Sequence, residues 1–149
     1  MSEDCLFCSI REGKFPTNKV YEDDEFFAIL DIKPVNPGHV LIMPKEHYRN
    51  FLDLPQELTR RYGEVAQKIG RAVQEACKAD GINITCNNES AAGQLIFHTH
   101  VHIIPRFNND NLMHWDHNLY KDEREMPEIA TKIRDKISNS RTTENPQSA

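Results

Sequence analysis

The sequence has no long apolar run, and its first residues, MSEDCLFCSI, open acidic, so neither a signal peptide nor a membrane anchor is expected. It has no surplus of positive charge either. Eighteen Lys and Arg stand against 23 Asp and Glu, a formal charge of −5, and the isoelectric point is about 5.8. A general nucleic-acid binder would carry a basic stripe, so no nucleic-acid partner is expected; a phosphate ligand would have to be drawn in by local donors against the global field. Cysteine is scarce: the chain holds Cys5, Cys8, Cys77 and Cys86. Without an export signal these thiols are expected to stay reduced, in the cytoplasm. There is no internal repeat and no low-complexity block apart from the tail SNSRTTENPQSA, which has no large apolar residue. Residues 139–149 are therefore expected to be a disordered tail.

What is present describes one globular domain over residues 1–138. Hydrophobic residues make up 38% of the chain and charged residues 28%, enough for a real core at this length. KVYEDDEFFAILDI reads as two short strands around an acidic turn at Asp23 and Asp24, the second strand running from Phe26 to Ile32. KPVNPGHVLIMPK reads as a Pro/Gly turn and a buried strand from His39 to Met43, ended by Pro44. The clearest helix covers Pro55 to Ala79, where Leu58, Tyr62, Val65, Ile69, Ala72, Val73 and Ala76 recur at steps of three or four. Asp53 is expected to cap it, with Gln56 at capping-box spacing, and Gly81 to stop it. Gly63 and Gly70 lie inside, each costing roughly 1 kcal/mol against alanine unless close packing requires it. INITCN and LIFHTHVHIIP read as two further strands, and Ile129, Ile133 and Ile137 mark a short closing helix over Met126 to Ile137. Strands, one long helix, then strands again predict an α+β fold with a mainly antiparallel sheet of about five strands.

Three of the seven histidines, His98, His100 and His102, fall at alternate positions of GQLIFHTHVHIIPR. In a strand they share one face, while Thr99, Val101 and Ile103 share the other. That opposite face is apolar and packs inside, so the histidine face is the unusual one. Three readings compete: an incidental polar face, a catalytic zinc site built on His-x-His, and a nucleophilic histidine acting on a phosphate. Context favours the third. Gly93 precedes the strand, where glycine lets backbone N–H groups approach an anion, and no carboxylate lies between Gly93 and Arg106 to complete a metal site.

HTHVHII resembles the His-x-His-x-His-x-x signature of the histidine triad (HIT) family. The similarity extends to FFAILDIKPVNPGHVLIMPKEH, with its PGH turn, to CNNESAAGQ before the triad, and to IIPR after it, spanning Cys5 to Phe107. The resemblance implies a purine-nucleotide hydrolase that cleaves at the α-phosphorus of phosphoramidates or dinucleoside polyphosphates through a nucleotidyl-histidine. It implies that His100 is the nucleophile, that His102 and His39 surround the phosphate, and that His98 orients His100 through its backbone carbonyl. It further implies ribose contact by Asp31, phosphate contacts by Asn87, Gly93 and Gln94, and a purine pocket from Leu6, Phe7, Ile10, Ile29, Leu30 and Ile32. One departure stands out: Leu95 occupies the position where many relatives carry a Ser or Thr that assists the leaving group. Family members are commonly homodimers joined through the long helix and a sheet edge, so a homodimer is expected. The rival class is a non-enzymatic nucleotide-binding sensor or interaction module.

CLFC gives Cys5 and Cys8 the spacing of half a zinc site, and no second Cys-x-x-Cys exists. A thioredoxin-like redox pair would need a βαβ context, which is missing. In bacterial-type HIT proteins the two cysteines join the histidine of a PKxH segment and the first triad histidine around structural zinc, which implies Cys5, Cys8, His47 and His98 here. Four protein ligands close the coordination sphere, so such a zinc holds structure and the reaction centre needs none. His98 would then have to leave the face shared by His100 and His102. His114, Trp115 and His117 form a looser cluster, read as solvated loop.

Overall fold

A computed structural model describes residues 5–112 and 117–140. The chain forms two compact units, residues 1–111 and residues 112–149. In the first, α1 (Leu6–Arg11) precedes β1 (Lys19–Glu22), β2 (Phe26–Leu30) and β3 (Val40–Pro44). The long helix α2 (Gln56–Cys77) follows, then β4 (Gly81–Thr85) and β5 (Val101–Arg106). The strands form one antiparallel sheet in the order β1-β2-β3-β5-β4. The α+β fold with an antiparallel sheet of five strands is as expected.

Side-chain alternation divides the sheet into two apolar layers. Phe26, Ala28, Val40, Ile42, Val101 and Ile103 face α2 and pack with its Tyr62, Val65, Ala66, Ile69 and Val73. Phe27, Ile29, Leu41 and Met43 take the other face and pack with Cys5, Phe7 and Cys8 of the α1 region. This is why FFAIL and VLIMP read as near-continuous apolar runs: their strands are covered on both sides, one by a long helix and one by a short one. The short helix is the element that hydrophobic periodicity missed, because six residues span too few turns to show a repeat.

Helix ends differ from expectation for local reasons. Asp53 lies in a single 3-10 turn, Phe51–Asp53, capped by Asn50, whose Oδ1 accepts from the Leu52 N–H at 3.0 Å; α2 itself starts after Pro55 with no side-chain cap. The helix stops at Cys77, not at Gly81. Lys78 takes the left-handed conformation (φ 53°) and the Ala79 N–H closes on the Gln74 carbonyl at 3.0 Å, leaving Gly81 as the first residue of β4. The turn at Asp23 is an Asx turn, its Oδ1 accepting from the N–H groups of Glu25 and Phe26 at 2.9 and 2.7 Å.

In the second unit α3 (Glu125–Ser140) is longer than expected and begins where Asp122 Oδ1 accepts from the Arg124 N–H at 2.8 Å. Its Met126, Ile129, Ile133 and Ile137 are exposed. His114, Trp115 and the tail from residue 141 lie outside the described residues. No helix among the described residues is long and apolar enough to cross a membrane.

The glycines of α2 and of the PGH turn differ in what they allow. A Cβ at Gly63 would meet nothing within 4 Å, whereas one at Gly38, already at φ +96°, would overlap the Cys77 sulfur. Gly63→Ala is therefore expected to raise stability by about 0.5–1 kcal/mol and Gly38→Ala to lower it, both read from urea denaturation midpoints.

Candidate active site and metal-ligand cluster

The expected strand over residues 95–105 is shorter than its alternation suggested. The β3·β5 ladder pairs Val40 with Ile103, Leu41 with His102 and Ile42 with Val101, and there it ends. Pro44 has no N–H to carry it further, and the Thr99 N–H donates instead to the Tyr48 carbonyl at 2.7 Å. His102 therefore sits on β5, while His100 and His98 precede it. The departure from ladder geometry separates the three rings. His100 and His102 stay together, ring centroids 4.9 Å apart, whereas His98 lies against His47 at 4.9 Å. The buried Phe7 ring contacts both, edge-on, at 5.9 Å from His98 and 5.1 Å from His100.

Each ring has its tautomer set by a fixed neighbour. A backbone carbonyl can only accept, so the nitrogen facing it must carry the proton. His98 donates from Nε2 to the Pro44 carbonyl at 2.9 Å, which leaves the Nδ1 lone pair facing Cys5 Sγ at 3.4 Å and Cys8 Sγ at 3.6 Å. His100 donates from Nδ1 to the His98 carbonyl at 2.7 Å, which leaves its Nε2 lone pair available. The Val35 N–H donates to His39 Nδ1 at 3.2 Å, so His39 donates from Nε2 to His102 Nδ1 at 2.9 Å. The remaining proton of His102 is on Nε2, a buried atom with no partner among the described residues. A donor left in that state costs about 1–3 kcal/mol, which an incoming acceptor would recover.

Burial keeps these rings neutral. Loss of solvent lowers the pKa of His100 and His39, and takes His98 and His102 down to about 4, while Asp31 acts in the opposite direction on His39, His100 and His102. Asp31 Oδ2 lies 3.6 Å from His39 Nδ1, and its Oδ1 accepts from the Lys33 N–H at 2.8 Å.

The second cluster could hold a metal ion. Cys5, Cys8, His47 and His98 place one ligand atom each within 4.8 Å of one another. His47 Nδ1 is 3.5 Å from Cys8 Sγ, and the two His98 contacts are 3.4 and 3.6 Å. Zinc–sulfur bonds near 2.3 Å and zinc–nitrogen bonds near 2.0–2.1 Å put the sulfur–nitrogen edge of a tetrahedron at about 3.5 Å, so the donors fit such an ion. Burial and the neighbouring Cys5 raise the Cys8 thiol to about 11, against the lowering charge of Arg11; a bound metal ion would reverse that and hold it as thiolate.

The other residues singled out in the sequence are placed unevenly. Phe7, Ile10 and Ile29 come together on the triad side, Leu6 is partly exposed and Ile32 is 90% exposed. Leu30 does not join them; it packs on the opposite face with the α2 core. Gln94 is 1% exposed, its Oε1 accepting from the Glu89 N–H and its Nε2 donating to the carbonyls of Arg49 and Ile96. It is thus a strut inside the loop that carries Gly93 (φ +87°), whose carbonyl accepts weakly from Asn87 Nδ2 at 3.4 Å. Leu95 projects into solvent at 89% exposure, and His117 is exposed.

Residues that no motif of the sequence marks as functional hold this loop. Glu89 sits at φ 70°, a strained conformation for a non-glycine residue. Its carboxylate accepts from Arg49 Nε and Nη2 at 2.9 and 2.7 Å and from Asn50 Nδ2 at 2.8 Å. The Glu89 pairings have no local sequence pattern, since Arg49 and Asn50 lie 40 and 39 positions away.

A model of the HIT domain matches residues 12–109. This chain belongs to the HIT family. The crystal structure of SMU.412c from Streptococcus mutans UA159 superposes with a TM-score of 0.86 at 43% identity, covering 92% of this chain and 87% of that one. The Adenylylsulfatase HINT3 of Arabidopsis thaliana is 43% identical over 75% of this chain and 57% of its own. A zinc-bound histidine triad family protein from Mycobacterium smegmatis superposes at a TM-score of 0.72 with 37% identity, covering 91% of this chain and 99% of that one.

The Glu89 carboxyl is held down to about 2, first by its hydrogen bond with Arg49. A depressed pKa contributes stability above the ordinary carboxylate range and loses it as pH falls through that range. Glu89→Gln is therefore expected to melt below wild type at pH 7, with the two melting temperatures converging between about pH 4.5 and pH 2.

Proposed function

We propose that the chain is a hydrolase of purine nucleotides, cleaving at the α-phosphorus of phosphoramidates or dinucleoside polyphosphates through a nucleotidyl-His100 intermediate. The observation that carries this reading is the tautomer of His100. Its Nδ1–H is spent on the His98 carbonyl at 2.7 Å, so the Nε2 lone pair is free to attack. Burial lowers its pKa and keeps that lone pair unprotonated at neutral pH. Beside it, the unpartnered Nε2–H of His102 supplies the donor that a phosphate oxygen needs. A relative named for adenylylsulfatase activity supports an adenylyl substrate. Asp31 contacts the ribose, Gly93 and Asn87 the phosphates, and Phe7, Ile10 and Ile29 the base.

Cys5, Cys8, His47 and His98 hold zinc, by analogy with the zinc-bound relative and the fit of the four donors. When bound, it supplies a structural cross-link and no Lewis-acid step. The protein works in the cytoplasm as a homodimer, joined through α2 and the free edge of β4, where Ile84 is half exposed.

His100→Ala is expected to reduce hydrolysis of adenosine 5′-phosphoramidate by at least about a thousandfold while AMP still binds, measured by product release and calorimetry. Retained turnover would remove His100 as nucleophile; no turnover by wild type would favour a binding module instead. Purified chain is expected to carry one zinc ion by metal analysis and Cys5→Ser much less. Unchanged metal content in Cys5→Ser would exclude this ligand set.

A further inference from the structure

Cys5 and Cys8 share a single neighbour, the ring of His98. Both sulfurs face its Nδ1, at 3.4 and 3.6 Å, and with His47 the group places four ligand atoms within 4.8 Å of one another. Cys77 and Cys86 belong to no such group among the described residues. Although both Cys5 and Cys8 are buried, Cys5 and His47 line a cavity of about 450 Å³ that is open to solvent. Its walls also include Leu6, Leu95 and Phe97, all exposed. A solute the size of hydrogen peroxide therefore reaches Cys5 without unfolding, whereas Cys8 is not on the cavity wall.

We propose that Cys5 and Cys8 are a modification site for hydroperoxides, closing into a disulfide that releases the metal ion and loosens the aim of His100. This rests on the four residues holding zinc and on His100 being the nucleophile. Cys-x-x-Cys is the spacing at which thiol pairs of redox proteins close, and disulfides of cytoplasmic proteins are mostly transient ones of this kind. A pair that only closes on itself does not need the βαβ frame of a thioredoxin-like catalyst. The disulfide and the ion exclude each other. Two sulfurs on one zinc ion stand about 3.8 Å apart, against about 2.05 Å when bonded together, and a disulfide has no thiolate charge to offer. His47 and His98 alone do not close a coordination sphere, so the ion is lost. His98 carries the change to the site: its ring keeps the Pro44 carbonyl as its remaining anchor, and its own carbonyl is the group that accepts the His100 Nδ1–H at 2.7 Å. His98 is thus a positioning residue whose grip on His100 depends on the oxidation state of two thiols.

Both sulfurs enter as thiolates, since metal ligation requires that form. Cys5 Sγ, the one on the cavity wall, attacks a peroxide oxygen. A sulfur–oxygen bond forms, the oxygen–oxygen bond breaks, and the electron pair leaves on hydroxide, which takes a proton from solvent to become water. Cys8 Sγ then attacks Cys5 Sγ. The sulfur–sulfur bond forms, the sulfur–oxygen bond breaks, and a second hydroxide leaves and is protonated by solvent. The two thiolates have lost two electrons, and one hydrogen peroxide with two protons has become two waters. A dithiol reductant reverses the change by thiol–disulfide exchange.

The test treats the full-length, zinc-loaded protein with hydrogen peroxide and reads three quantities over time. Peptide mass mapping is expected to find Cys5 and Cys8 joined, two mass units lighter than the dithiol, while Cys77 and Cys86 still accept an alkylating reagent. A chromogenic chelator is expected to record one zinc ion released per disulfide. Turnover of adenosine 5′-phosphoramidate is expected to fall about tenfold in kcat with KM within about twofold, and to recover on adding dithiothreitol and zinc. In protein with 15N-labelled histidine, the Nδ1–H of His100 is expected to exchange with solvent at least about tenfold faster after oxidation. Cys5 and Cys8 remaining free, or Cys5 carried to sulfinic acid without a disulfide, would overturn the modification site. A complete disulfide with kcat and His100 exchange unchanged would overturn the coupling. Failure of the underlying readings looks different: a chain purified without zinc, or full turnover by His100→Ala, condemns the metal or the nucleophile while the disulfide is still read by mass.

Discussion

His98 uses both of its polar ends at once, and the site depends on that. Its ring Nε2 donates to the Pro44 carbonyl, so its Nδ1 faces two thiols; its own backbone carbonyl accepts the Nδ1–H of His100. One residue thus joins the metal-ligand cluster to the ring with the free lone pair. A shift of a few tenths of an ångström at His98 would move both, because a 2.7 Å bond leaves little slack. A metal ion held by this cluster would anchor the peptide that carries His100.

That anchoring is possible because the ladder between β3 and β5 ends early. Had it continued past Val101, all three histidines would have pointed from one face. The proline at position 44 ends the pairing, and the Thr99–Tyr48 bond takes over, so His98 is free to point toward Cys5, Cys8 and His47. The short α1 helix supplies the other half. It brings Cys5 and Cys8 onto the sheet and sets the Phe7 ring against His98 and His100. Burial by this layer removes solvent from the rings and holds them neutral, which suits both a ligand and a nucleophile.

Much of this was legible beforehand, for physical reasons that can be named. Alternation over short segments and a long three-to-four repeat are local properties, so the two hairpin strands, the buried β3 run and α2 could be read directly. The ends of those elements were not: Asp53 had the spacing of a cap yet belongs to the turn before α2, and Lys78 stops the helix in a conformation that glycine usually takes. The apolar residues were recognisable as buried without revealing on which side. Leu30 and Ile29 are neighbours in the chain but belong to opposite layers of the sheet.

The sequence alone determined which groups the protein has to work with: three imidazoles two residues apart, a pair of thiols at cluster spacing, a fourth histidine after PG, and a leucine in place of a hydroxyl. Tertiary structure decided what each imidazole does. A ring's chemistry depends on which of its nitrogens carries the proton, and here that is set by the Pro44 and His98 carbonyls and the Val35 amide. For His98 the partner carbonyl is 54 positions away, and for the His39–His102 pair the separation is 63. Contacts of that range leave no periodic trace in the chain, because they arise from how the sheet is closed and where its ladder breaks.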